Sequence, residues 1–171
     1  MTTRYLEDFT VGQIFGSCTM RIDEDQIRRF AKEFDPQPFH MDDKTARDTM
    51  FRGLVASGWH TAALTMRLLV EGGLKPAGGI VGAGIEELRW PRPVRPGDEL
   101  RVESEVLEVR PSKSRPEQGM IKVRSTTLKC HFIPMFPRIF RCTSPPIDWA
   151  QRPSMLNDSS TSESGRTSRT E

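Results

Sequence analysis

Ser57–Gly73 reads SGWHTAALTMRLLVEGG, and this stretch constrains the architecture more than any other. A serine stands where a helix N-cap belongs, and Gly72–Gly73 supplies a stop. Between them Trp59, Ala62, Ala63, Met66, Leu69 and Val70 recur at helical spacing as an apolar stripe, with Leu64 and Leu68 lying off it. A surface helix is apolar on one side only. A helix apolar on so many sides belongs in the middle of a molecule, with other elements wrapped around it.

Strand signals surround it. Residues 13–22, QIFGSCTMRI, suit a strand opened by Ile14 and Phe15. Asp23 is placed to cap a helix whose face carries Ile27, Phe30, Ala31 and Phe34, and Pro36 ends that helix at Phe34 or Asp35. A short helix over about 43–49 begins at Asp42 or Asp43. After the long helix, GIVGAGIEELRW (79–90), DELRVESEVLEV (98–109) and PEQGMIKVRSTTL (116–128) read as strands. In the second, Leu100, Val102 and Val106 alternate; in the third, Ile121, Val123 and Ser125 do. Strands grouped after helices predict an α+β fold, a single domain with antiparallel sheet around one long helix.

Composition narrows the function. The chain has 171 residues and a formal net charge of +2, with Lys and Arg spread along it, which argues against a nucleic-acid partner. The start of the chain lacks the apolar run of a secretory signal, and nothing is apolar for long enough to cross a bilayer. Cys18, Cys130 and Cys142 lack metal-ligand spacing, so a reduced, cytoplasmic protein is expected.

The chemistry concentrates in FDPQPFHMD (34–42). Asp35 and His40 flank a bend stiffened by Pro36 and Pro38. Such a bend either ends a helix and buries a histidine, or presents a carboxylate and an imidazole to one point, where they share a water in general acid–base catalysis. Asp42 invites a metal reading, but one histidine with acids supplies too few ligands, so no metal is expected.

Together with GLVASGWHTAALTMRLL (53–69) and ELRWPRPVRPGDEL (87–100), this segment resembles the MaoC-like dehydratases, the (R)-specific enoyl-CoA hydratase group of the hot-dog fold. The match runs in order from about residue 5 to 129. The resemblance implies a catalytic pair, Asp35 and His40, with Gln37 where Asn is more usual. It places an oxyanion donor on the Gly58 backbone N–H, beside the capping Ser57. Gln37, Phe39, Trp59 and His60 are further pocket candidates, His60 being read first as structural. Some hydratases of this group carry a serine about two turns into the long helix that contacts the catalytic carboxylate; here the position is Met66. Also implied are an acyl-CoA substrate, no separate cofactor and a homodimer whose sheets join edge to edge. Arg89, Arg92 and Arg95 are read as a solvated rim or as partners of coenzyme A phosphates.

The end of the chain departs from this pattern. KCHFIPMFPRIFRCTSPPIDWAQRP (129–153) is apolar yet broken by prolines, and the Ser/Thr-rich 154–171 lacks the apolar surface to offset its ordering entropy. The organisation expected is therefore a domain over 1–129, an atypical segment over 130–153 and a disordered tail over 154–171. Sequence after about Leu128 is read as foreign to the fold, which predicts a missing last strand and an open sheet edge. Three functions stay open: a hydro-lyase acting on 2-enoyl thioesters, a thioesterase, and a catalytically weak acyl-thioester binding protein.

Overall fold

A computed structural model describes residues 3–115 and 118–129, and the backbone of 140–143. The predicted strand over 13–22 is two short ones, β1 (Ile14–Gly16) and β2 (Met20–Arg21). Ser17 causes the break: its hydroxyl accepts from Val102 N–H at 2.8 Å, a donor that a continuous ladder would take for a carbonyl. Helix α1 (Glu24–Phe34) starts in a reciprocal box, the Asp23 side chain accepting from Gln26 N–H and the Gln26 side chain from Asp23 N–H. It stops at Phe34, with Asp35 as its C-cap. Ile27 and Ala31 are fully buried on its inner face, whereas Phe34, expected there, is 64% exposed.

The proline bend holds a turn of helix that the sequence did not announce, α2 (Pro38–Met41). Proline suits the first helical position because its missing N–H has no acceptor there in any case. Asp42 then caps α3 (Asp43–Arg47) by accepting from Thr45 N–H at 2.7 Å. The long helix α4 (Gly58–Glu71) follows, capped by Ser57.

Of the strand expected over 79–90 only β3 (Gly84–Ile85) forms; the glycines around it leave few side chains to pack. The main ladder is β4 (Glu99–Pro111) with β5 (Gly119–Lys129), antiparallel, with Leu107 extruded where the register shifts between Val106 and Glu108. A last strand, β6 (Phe140–Thr143), lies between β5 and β3, giving the order β1-β4-β5-β6-β3, with β2 also on β4. The expectation of a missing last strand is therefore corrected. FRCT, between Pro137 and Pro145, is a proline-free window able to offer backbone donors to a ladder. The atypical packing expected for 130–139 and 144–153, and the disorder expected for 154–171, lie outside the described residues.

Helix α4 lies on the inner face of this sheet, among Ile22, Ile27, Leu54, Val94, Leu100 and Val102. Its buried face is His60, Leu64, Thr65, Leu68 and Leu69; of the expected stripe Leu69 is buried there, whereas Trp59 and Val70 are 59% and 56% exposed. Hydropathy misplaced the face because a hydroxyl with partners can be buried. Thr65 Oγ1 reaches Thr61 O at 2.8 Å and Thr127 Oγ1 on β5 at 2.7 Å. Ser104 and Ser125 likewise face each other across β4 and β5 and bond at 3.0 Å, which lets both occupy inward positions. Replacing Leu68, 1% exposed, by alanine is expected to cost about 2–5 kcal/mol in urea unfolding. Arg67→Ala, which removes only the exposed pair with Glu71, is expected to change stability by less than about 1 kcal/mol.

Candidate active site

Three short segments converge beside the start of α4. Asp35 ends α1 as its C-cap, its N–H still bonded to Ala31 O. Gln37 N–H turns back on Asp35 O at 2.8 Å, and α2 lifts His40 toward the segment before α4. That segment is pinned from both sides. Val55 N–H donates to Phe39 O at 3.3 Å, and Ala56 N–H to Val94 O at 2.8 Å, which joins it to the Trp90–Arg95 stretch.

The sequence-predicted pair meets here. His40 Nε2 lies 3.5 Å from Asp35 Oδ2, too far for a strong direct hydrogen bond. The other ring nitrogen sits 2.8 Å from Val55 O. A carbonyl only accepts, so Nδ1 carries a proton, and Nε2 is the ring nitrogen that faces Asp35. Ser57 Oγ donates to Asp35 Oδ2 at 2.6 Å and Gln37 Nε2 to Oδ1 at 2.7 Å. The Ser57 hydroxyl is the largest influence holding the carboxyl below its ordinary range. Partial burial opposes it, and Gln37 and His40 lower it further. Asp35 is therefore an ionised carboxylate at neutral pH.

These groups line an open pocket of about 600 Å³ that also includes Phe39, Gly58, Trp59 and Trp90. Gly58 N–H opens the helix and has no acceptor among the described residues, as the geometry of a helix start requires. The absence of a side chain at Gly58 is needed as well. A Cβ there would fall 2.7 Å from the Trp90 ring, and Trp90 in turn meets Trp59 edge-on with centroids 5.5 Å apart. Trp90 was not among the sequence candidates; it lay in a segment read as strand, and only the fold brings it over Gly58.

His60, a pocket candidate from the sequence, is placed elsewhere. It is 6% exposed, stacks on Phe30 of α1 at 4.6 Å with the rings 4° from parallel, and leaves Nδ1 without a partner among the described residues. Its structural reading is the one the packing supports. Met66 packs half-buried against the core, and the hydroxyl reaching Asp35 comes from Ser57 instead. Of the three arginines, Arg89 pairs with Glu87, and Arg95 donates to Phe51 O while lining the pocket with Arg92.

Comparison with known proteins shows the family and the fold. The profile described as "MaoC like domain" matches residues 9–128. The chain is 37% identical over 122 residues, 71% of its own length and 85% of the relative's, to the uncharacterized protein YdeM of Bacillus subtilis. A crystal structure of a MaoC-like dehydratase from Rhodospirillum rubrum superposes with a TM-score of 0.73 at 49% identity, covering 84% of this chain and 94% of that one. The unliganded R-hydratase PhaJ1 of Pseudomonas aeruginosa superposes with a TM-score of 0.59 at 26% identity, over 84% of each chain. The chain belongs to the MaoC-like domain family, and its single α+β domain has the hot-dog fold. Among the described residues no helix is long and apolar enough to cross a membrane.

Burial holds the His60 imidazole below its ordinary value of 6.5, while the unfolded chain titrates near that value. Below it the unfolded state binds more protons, so stability rises with pH in this window and is lost as pH falls. The urea midpoint is expected to drop between about pH 7.5 and about pH 5.5, and His60→Leu is expected to flatten that dependence.

Proposed function

We propose that the protein is a hydro-lyase that reversibly hydrates 2-enoyl thioesters of coenzyme A to 3-hydroxyacyl thioesters, with the carrier as part of the substrate and no separate cofactor. One observation carries the reading. The Asp35 carboxylate and Nε2 of His40 lie 3.5 Å apart in the pocket that Gly58 also lines, and in the neutral ring Nε2 is an acceptor like the carboxylate. Two acceptors at that spacing can take both hydrogens of one water and leave its oxygen lone pair free for C3 of the enoyl group.

As the C3–O bond forms, His40 takes a proton from the water and electron density moves through the double bond onto the thioester oxygen. The Gly58 N–H, at the positive end of α4, offers that oxygen a donor that needs no reorganisation. The imidazolium then returns its proton to C2, so that one water is added and no proton is left over. Asp35 keeps its charge throughout, orienting the water and favouring the imidazolium. The assembly we assign is a homodimer.

The test is loss of enoyl absorbance on incubation with crotonyl-CoA. Asp35→Asn and His40→Ala are each expected to lower kcat/KM by about 10²–10⁴-fold with an unchanged circular dichroism spectrum. Full turnover in both variants would refute the assignment, and release of free coenzyme A without a hydroxyacyl product would identify a thioesterase instead. Gly58→Ala, whose new methyl group meets Trp90, is expected to lower kcat and to alter tryptophan fluorescence together.

A further inference from the structure

The hydrogen bonds around Asp35 are divided in a way the catalytic reading does not require. Each carboxylate oxygen has its own side-chain donor: Gln37 Nε2 to Oδ1 at 2.7 Å and Ser57 Oγ to Oδ2 at 2.6 Å. The two donors come from opposite sides of the site. Gln37 is exposed and caps α2, two residues along the chain from Asp35. Ser57 is 1% exposed and caps α4, its Oγ also accepting from Trp59 N–H at 3.2 Å. A serine hydroxyl has one proton to give. At Ser57 it goes to Asp35, so the group has no donor left for a substrate.

We propose that Gln37 and Ser57 are positioning residues that clamp the Asp35 carboxylate, one oxygen each, and lock its orientation to the N-terminus of α4. With both oxygens held, the carboxylate cannot rotate about its terminal bond without losing a charge-assisted hydrogen bond. Each oxygen keeps a further lone pair, and Oδ2 is the one that lies 3.5 Å from His40 Nε2. The chain through Ser57 also ties the carboxylate to the helix whose first N–H lies at Gly58, so acid and oxyanion donor share one rigid reference. The titratable and charged groups near the carboxylate are His40 on α2, with Arg92 and Arg95 lining the same pocket. The clamp rests on the hydratase reading for its catalytic meaning but not for its existence.

Two variants separate the clamp from folding. Ser57→Gly removes the hydroxyl while keeping a residue that helix N-caps tolerate, and Gln37→Ala changes an exposed side chain. Carboxyl-carbon NMR titration without substrate reads the clamp directly, and the Asp35 midpoint is expected to rise in both variants. In crotonyl-CoA hydration each variant is expected to lose about ten-fold or more in kcat, with KM within about two-fold, and the acid limb of the pH profile is expected to move up with the NMR midpoint. Ser57→Thr, which keeps a hydroxyl, is expected to restore the acid limb. An Asp35 midpoint unchanged in both Ser57→Gly and Gln37→Ala would overturn the clamp. A shifted midpoint in a protein that hydrates no enoyl thioester would uphold the clamp and defeat the hydratase reading.

Discussion

The bond from Ser57 Oγ to the Asp35 carboxylate ties the end of one helix to the start of another. One partner is the last turn of α1, the other the first turn of α4, and 22 residues of chain separate them. The intervening segment must fold back so that both ends reach one point, and three contacts hold that return. Arg28 on α1 holds Met41 O, Asp43 accepts from Leu54 N–H, and Phe39 O accepts from Val55 N–H. Once the return is made, His40 faces Asp35 and the start of α4 opens beside both. Partial burial disfavours the Asp35 charge and the hydroxyl of Ser57 favours it, so the closure and the charge sustain each other.

The sheet's part is to hold α4 still. Its inner face carries hydroxyls as well as valines and isoleucines: Ser104 and Ser125 satisfy one another, and Thr127 meets Thr65 of the helix. An apolar contact permits sliding at small cost, whereas a directional bond between helix and strand sets a register. The helix start is thereby fixed relative to β5, and Val94, through its carbonyl to Ala56, relates the tryptophan wall to the same frame. Trp90 closes over Gly58 because no side chain occupies that space.

Much of this was legible in particular residues. Asp23 wrote the start of α1, Pro36 its end, and Asp42 or Asp43 the start of α3. The alternation in 98–128 marked β4 and β5 together with their inward positions. Asp35 and His40 could be singled out because proline restricts the backbone between them. The apolar stripe of α4 failed for an identifiable reason: Thr65 and His60 are polar by type, yet one finds partners and the other an aromatic face inside the core. Residues 140–143 failed in the opposite way. Prolines on either side hid a short proline-free window that pairs on both edges.

The sequence by itself determined α1, α3, the β4–β5 ladder, the helix that had to be central and the two residues of the acid–imidazole pair. These depend on periodicity, capping and backbone restriction, all of which act over a few residues. Tertiary structure alone decided which face of α4 is buried, which His40 nitrogen meets a backbone carbonyl and which donors the Asp35 oxygens receive. Those choices rest on a backbone carbonyl at Val55, a hydroxyl at Ser57 and an indole at Trp90. A carbonyl has no side-chain signature, and the reach of a hydroxyl or an indole depends on where distant segments meet.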